Sequence, residues 1–149
     1  MKKQPILVSA CLLGVCCRYD GASKPCQKVI NLRDKFLLVP ICPEVDGGLP
    51  TPRTPSEGVG QRVFMKDGKD VTDNFRLGAE LALEKAKTFS CAVALLKARS
   101  PSCGSNAIYD GSFSGTLTEG DGVAAKLLKE NGIDVYTEDE IDILIEKYT

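Results

Sequence analysis

The chain has 149 residues, 43% of them apolar and 26% charged, and its formal net charge is −1. This length and balance are those of one globular domain with a sizeable core, without the basic stripe of a nucleic-acid binder. Histidine is absent, which excludes a histidine general base, Ser-His-Asp and Cys-His catalysis, and metal sites that need imidazole.

The cysteine content narrows the chemistry further. Seven cysteines are many for this length, and the number is odd. Long alternating elements are not the pattern of a small secreted fold held by disulfides, so metal ligands or reactive thiols are the expected roles. Residues 1–8 could begin a signal peptide, but Gly14 and Arg18 interrupt the apolar run. We therefore expect a strand here, in a cytoplasmic protein, with no run long enough to cross a bilayer.

The first part of the chain predicts two strands joined by a loop and a short helix. Residues 5–10 form an apolar run typical of a buried strand, and the loop after it contains the turn signal Asp20-Gly21. Residues 25–34 can form a short helix, and residues 36–41 predict the second strand. Segment 47–60 contains three prolines, and we expect a long loop that forms a wall of a substrate site.

The middle of the chain predicts a turn, a long helix and a third strand. Residues 63–71 favour a small hairpin or edge strand around Asp67-Gly68. A helix is predicted from Thr72 to about Lys87, where cations suit the carboxyl end of a helix. Residues 91–96 are apolar on both faces, which is typical of a central parallel strand.

The last part predicts one more strand between two helices. A glycine- and serine-rich loop precedes a helix over residues 119–131, which Gly132 ends, and a strand over residues 133–136. Residues 137–140 form a capping box for the final helix. Alternating strands and helices predict a three-layer α/β fold with a mainly parallel sheet, in a single domain over residues 1–149.

Three of the predicted strands each lead to a cysteine just past their carboxyl ends. These cysteines are Cys11, Cys42 and Cys103. The carboxyl ends of parallel strands meet at one edge of an open sheet, where ligands bind. The sequence therefore predicts a metal centre held by these three thiols at that edge.

We expect structural roles for the other four cysteines. Cys16 and Cys17 are adjacent, so both cannot easily face one ion, and we expect these two and Cys26 to be packing or incidental thiols. Cys91 lies at the opposite end of its strand from Cys103, and we expect it to fill the core.

The residue types are compatible with several kinds of metal centre. Thiolates select zinc, cuprous copper or iron–sulfur clusters. A structural zinc site usually has close C-x-x-C pairs, which are missing here, whereas a catalytic zinc with three thiolates and an open position is possible. A cubane cluster with three thiolates and one uncoordinated iron suits widely separated ligands better, because the cluster is larger than a single ion. Buried or redox-active cysteines without a metal are the remaining alternative.

Three sequence blocks resemble a known family. The blocks are VSACLLG at residues 8–14, CPEVDGGLPTPR at 42–53 and KARSPSCG at 97–104. They are similar to the signature blocks of the TudS-type thiouracil desulfidases, a family long known only as a conserved domain of unknown function. The resemblance covers essentially the whole chain.

The resemblance implies a cofactor and a reaction. The cofactor would be an oxygen-sensitive [4Fe-4S] cluster bound by Cys11, Cys42 and Cys103, with its fourth iron free. The reaction would remove sulfur from 2-thiouracil or a related thiolated pyrimidine, giving uracil and sulfide. We expect the other partners to be the cluster-assembly machinery, with no membrane and no nucleic acid.

Catalytic roles follow from position and from the resemblance. Glu44 comes two residues after a proposed ligand, so it could deprotonate the attacking water or shuttle protons in a chain that lacks histidine. A capping or ion-paired acid is the alternative for Glu44. The resemblance implies that Ser100 is a proton relay, and Ser102 is the nearby alternative.

Substrate contacts are predicted from the polar residues around the first two cysteines. Arg53, Asp20 and the backbone of Gly47 and Gly48 could dock the polar edges of the pyrimidine. For Arg53 the alternative is a surface ion pair. Competing functions are another lyase or sulfur transferase that uses the same open iron, and a non-enzymatic zinc or thiol redox protein.

Overall fold

The computed structural model describes residues 3–149. Its strands are, in chain order, β1 (Gln4–Ser9), β2 (Phe36–Ile41), β3 (Ser56–Val59), β4 (Arg62–Met65), β5 (Val93–Leu96), β6 (Ala107–Tyr109), β7 (Leu117–Glu119) and β8 (Asp134–Thr137). Its α-helices are α1 (Gln27–Ile30), α2 (Pro43–Asp46), α3 (Thr72–Thr88), α4 (Val123–Glu130) and α5 (Ile141–Tyr148). Short 3-10 turns occupy Ala10–Leu13, Asn31–Asp34 and Glu138–Glu140.

A parallel sheet forms the centre of the molecule. Within residues 3–149 it contains four strands in the order β2-β1-β5-β8. Gln4 of β1 is in register with Phe36 of β2, and Ile6 is in register with Val93 of β5. Every neighbouring pair is parallel, so the carboxyl ends of the strands meet at one edge. The predicted α/β fold with a parallel sheet is confirmed.

Two hydrophobic cores cover the two faces of this sheet. Ile6 and Val8 of β1 pack with residues of α1 and α5, whereas Leu7 packs with residues of α3 and α4. Successive side chains of a strand point to opposite faces, so β1 contributes to both cores. The helices therefore form a layer on each side of the sheet, as the three-layer prediction requires.

Several elements form where the local sequence predicts them. Helix α3 buries Phe75, Ala79, Ala82 and Ala86 at the helical spacing seen in the sequence. At the other end of the chain, Thr137 and Glu140 form the predicted capping box. No helix within residues 3–149 is long and apolar enough to span a membrane.

Two hairpins differ from the expectation. The segment predicted as a loop ends in β3, which pairs antiparallel with β4. Around Asp67-Gly68, an antiparallel bridge from Phe64 to Asp70 and a hydrogen bond from the Val71 N–H to the Val63 carbonyl form the small hairpin that the sequence predicts there. Strands β6 and β7 form a second hairpin, so the helix predicted to begin at residue 119 begins at Val123. These short strands pair through contacts that sequence periodicity does not record.

Candidate active site

A cleft of about 530 Å³ opens at the carboxyl ends of β1, β2 and β5. Cys11, Cys42 and Cys103 all line it. Cys11 lies in the 3-10 turn that follows β1, and this turn ends at Gly14, whose φ of 96° suits glycine. Cys42 is the N-cap of α2, and Cys103 lies in the loop between β5 and the second hairpin. The structure thus brings the three predicted thiols to one cavity.

A fourth thiol, that of Cys17, also lines this cleft. It is 8% exposed, and its pKa is raised, chiefly by the neighbouring Cys11 thiol. The Cys42 thiol also contacts the Cys17 carbonyl at 3.7 Å. Cys17 is buried in the core on the α1 face, as expected for a packing thiol, but its place in the cleft was not predicted. Nothing in the local sequence signals this position, because a loop and not a strand brings Cys17 back to the site.

The remaining cysteines lie away from the cleft. Cys16 is exposed, and Cys26 packs partly buried against the core on the α1 face. Cys91 is buried among residues of α3 and α4, as expected for a residue that fills the core.

The thiols of Cys42 and Cys103 resist ionisation. Burial raises the pKa of the Cys103 thiol to about 12. The pKa of Cys42 is raised as well, chiefly by its hydrogen bond to Cys17 and then by burial. Such groups become thiolates when a bound cation stabilises them, which is how thiol-based metal sites form.

The distances between these side chains indicate which kind of metal centre fits the cleft. Among residues 3–149, no three Cys, Asp or Glu side chains come close enough to hold one metal ion. A cubane cluster places each thiolate on a different iron, so it needs thiols distributed around a cavity rather than gathered on one point. A cavity lined by several thiols fits a cluster better than a single zinc ion.

Glu44 reaches the cleft from the first turn of α2 and is held at both carboxylate oxygens. Arg53 donates to Oε1 from Nε at 3.2 Å, and its Nη2 lies 3.2 Å from the same oxygen. Ser102 donates to Oε2 at 3.0 Å. The Glu44 side chain is 15% exposed, so a partly buried, oriented carboxylate faces the thiols.

Ser100 and Ser102 form a directed chain of hydrogen bonds with Glu44. The Oγ atom of Ser100 accepts from the backbone N–H groups of Ser102 and Cys103, at 3.1 and 3.0 Å. The two hydroxyl oxygens are 3.0 Å apart. Because Ser102 donates its one proton to Glu44, the proton between the two serines comes from Ser100. Both serine candidates therefore belong to one path from the cleft to Glu44.

Arg53 lines the cleft, but its N–H groups face protein acceptors. Besides Glu44, it donates to the carbonyls of Cys17 and Pro50 and to the hydroxyl of Thr51. Its side chain is only 3% exposed. These contacts are those of a residue that holds Glu44 in place, rather than those of a free donor for a substrate.

Asp20, Gly47 and Gly48 are not among the residues that line the cleft. Asp20 accepts from the Ala22 N–H within its own turn and lies near Arg18. The Gly47 carbonyl accepts from the Asn74 side chain of α3, and both glycine N–H groups close the end of α2. These positions do not support the prediction that the three residues dock the substrate, because their polar groups are used in local structure.

The two hairpins form a further wall of the cleft. Ser56 and Glu57 of β3 line it, together with Tyr109 and Phe113 from the second hairpin. The pattern of segment 47–60 predicts a wall there, whereas the second hairpin was not predicted. Aromatic and glycine residues in that segment were the only signal for it.

Comparison with known proteins gives concordant results. A family model described as 2-thiouracil desulfurase matches residues 6–140. A Bacillus subtilis (strain 168) protein, uncharacterized YbbK, is 40% identical over 150 residues, which cover 94% of this chain and 99% of the relative. A solved structure described as a [4Fe-4S]-dependent thiouracil desulfidase, TudS, is 46% identical, with a TM-score of 0.92 and 97% of each chain covered.

Proposed function

The chain belongs to the 2-thiouracil desulfurase family, and from this premise we propose that it is an iron–sulfur-cluster-dependent desulfidase. Its substrate would be 2-thiouracil or a related thiolated pyrimidine, and its products uracil and sulfide. One observation carries the proposal: Cys11, Cys42 and Cys103 line the same cleft as the hydrogen-bonded chain from Ser100 to Glu44.

The three cysteines would hold a [4Fe-4S] cluster. Their separate positions around the cavity and the thiol-rich lining support this donor set. When bound, the cluster supplies a Lewis acid with affinity for sulfur at the iron that lacks a protein ligand. If these three cysteines bind the cluster, Cys17 remains as an additional thiol beside it.

Side chains of the protein would carry out the proton transfers. Replacing the sulfur of a thiouracil by oxygen consumes one water and releases hydrogen sulfide, so both protons of that water must finally reach sulfur. Glu44 accepts the first proton from the attacking water, since its carboxylate is fixed and faces the cleft. The Ser102 and Ser100 hydroxyls form a hydrogen-bonded path from this carboxylate back to the cleft. Along this path the proton can return to the departing sulfur.

Arg53 would act on Glu44 and not on the substrate. Its guanidinium keeps one carboxylate oxygen occupied and so fixes the orientation of the carboxylate. The same guanidinium donates to the Cys17 carbonyl, so it also fixes the loop that approaches Cys42.

The proposed chemistry indicates the cellular compartment and the partners of the enzyme. An oxygen-sensitive cluster with reduced thiols suits the cytoplasm, and we propose that compartment. The cluster would be supplied by iron–sulfur assembly proteins. We propose no membrane partner and no nucleic-acid partner.

The experiment is anaerobic reconstitution with ferrous iron and sulfide, followed by a sulfide-release assay on 2-thiouracil and 4-thiouracil and on their nucleosides and nucleotides. We expect a brown protein that releases sulfide and the matching oxygenated base. The Cys42→Ala variant should lose both colour and activity, whereas the matched control Cys16→Ala, at an exposed thiol, should keep both.

Each alternative has its own outcome. A brown protein that releases no sulfide from any of these substrates would indicate a lyase or sulfur transferase with another substrate. A colourless protein that binds zinc would indicate a zinc or thiol redox protein and would overturn the proposal.

A further inference from the structure

A buried carboxylate outside the proton path holds one wall of the cleft. Glu57 of β3 is 8% exposed, and it forms no ion pair within the part of the chain that the structure describes. Its Oε1 accepts from the N–H groups of Gly111 and Phe113, at 2.9 and 3.2 Å. A buried carboxylate is costly unless hydrogen bonds stabilise it, so these two contacts account for its position.

The donor groups belong to the connection between β6 and β7, residues 110–116, which we name the 110–116 loop. Its backbone is shaped to approach β3 closely. Gly111 has a φ of 95°, and an added Cβ would lie 2.6 Å from the Val59 side chain and 2.9 Å from the Gly58 carbonyl. The loop therefore packs backbone against backbone on the first hairpin.

Phe113 is held in an unusual conformation by the same contacts. Its φ is 55°, a left-handed value that a bulky residue rarely adopts. Its side chain is half-buried and lines the cleft, with Tyr109 at the base of the loop. Such outliers persist where the surroundings enforce them, and they cluster at ligand sites.

We propose that Phe113 is the stacking surface for the flat ring of the substrate and that Glu57 is the residue that positions it. The inference rests on the proposed function, because it takes the ligand to be a thiolated pyrimidine. A planar heterocycle stacks favourably on an aromatic face, and the thiols and Glu44 line the same cleft as Phe113. The ring would thus stack on an aromatic wall of the cleft that also holds the reactive groups.

The test of Phe113 uses the reconstituted enzyme, with 2-thiouracil as substrate and uracil as a binding probe. Phe113→Leu keeps the bulk but removes the aromatic face, and we expect KM for 2-thiouracil and Kd for uracil to rise on the order of 10-fold, with kcat nearly unchanged. Phe113→Tyr should keep both values close to those of the wild type. Phe89→Leu, an exposed phenylalanine at the end of α3, is the matched control.

The test of Glu57 adds a readout that does not depend on activity. In Glu57→Ala, the amides of the 110–116 loop should exchange hydrogen faster and KM should rise, while the cluster absorbance and kcat stay near the wild-type values. Glu57→Gln keeps an acceptor oxygen in the same place and should restore most of the protection and most of the affinity.

The outcomes separate this inference from the function itself. If the wild type releases no sulfide from any thiolated pyrimidine, the proposed function fails. If it does release sulfide but Phe113→Leu binds uracil as tightly as the wild type, the stacking role is wrong. If Glu57→Ala leaves the exchange of the 110–116 loop unchanged, the positioning role is wrong.

Discussion

At the residue scale, the proposed proton transfer centres on Glu44, whose two oxygens are held by two different partners. Arg53 fixes Oε1 and Ser102 donates to Oε2, so the carboxylate is both oriented and kept as an acceptor. With no histidine in the chain, this is the group beside the thiols that is best placed for proton transfer.

Replacing Glu44 by Gln should remove the base and leave the cofactor site intact. The amide keeps the size and one acceptor oxygen but cannot take a proton from water, so we expect kcat to fall by about 100-fold or more. Visible absorbance should report an unchanged cluster content. The exposed Glu84→Gln on α3 is the control. Normal turnover of Glu44→Gln would contradict the assignment.

The two serines should respond differently to removal of their hydroxyls. Ser102→Ala breaks the path between Ser100 and Glu44, and we expect kcat to fall by about 10-fold or more with full cluster content. Ser100→Ala also leaves the N–H groups of Ser102 and Cys103 without their acceptor, so it should lower the iron content as well.

Iron and sulfide analysis of the two purified serine variants, together with steady-state kinetics, makes the comparison. Equal iron content in both variants would mean that the Ser100 hydroxyl has no part in holding the Cys103 loop.

At the scale of elements, the site depends on a close approach between α2 and α3. A Cβ added to Gly78 would overlap the Pro43 carbonyl, and one added to Gly47 would overlap the Asn74 carbonyl. Helix α2 begins directly after Cys42 and carries Glu44, so the long helix α3 sets the position of both.

Gly78→Ala should therefore disturb the site from a distance. Overpacking typically lowers the free energy of unfolding by about 1–3 kcal/mol, and here the displaced element carries a proposed ligand. We expect a lower midpoint in urea and a lower iron content after reconstitution. Leu77→Ala, at an exposed position of the same helix, should change neither by much. Wild-type stability in Gly78→Ala would show that α2 can move freely.

At the scale of the whole molecule, the C-terminal helix is fastened to the last strand of the sheet through one carboxylate. Asp134 Oδ2 accepts from Tyr136, Lys147 and Tyr148, at 2.9, 2.8 and 2.8 Å. These donors, Lys147 first, hold the pKa of Asp134 below its ordinary value. This network joins β8 to α5, which contributes to the core on the α1 face.

This network predicts how stability depends on pH. A carboxyl whose pKa is lowered by folding stabilises the protein above its unfolded pKa, near 3.9, and loses that contribution as the pH falls through its folded pKa. Asp134→Asn should thus lower the free energy of unfolding by about 1 kcal/mol at pH 7, since the pair is partly exposed.

The difference between Asp134→Asn and the wild type should shrink below about pH 4. Urea titrations of the apoprotein at several pH values measure it, with Glu146→Gln on the exposed side of α5 as the control. A difference that stays constant with pH would mean that the charge of Asp134 is not what stabilises the contact.

The sequence by itself determined the central sheet and three of the thiols that line its edge. Apolar runs and helical spacing are local properties, and parallel pairing then brings the ends of β1, β2 and β5 together. Cys11, Cys42 and Cys103 follow from that reasoning alone, and so does the approach of Glu44, two residues after Cys42.

Only the tertiary structure decided which other groups complete the cleft. Cys17 meets Arg53 from 36 positions away, and Glu57 meets Gly111 from 54 positions away. Neither contact has a periodic or motif signal, because loops and short hairpins pack through specific distant partners rather than through local propensity. For the same reason the sequence suggested Arg53, Asp20 and two glycines as substrate contacts, whereas the folded chain uses their polar groups to hold its own loops.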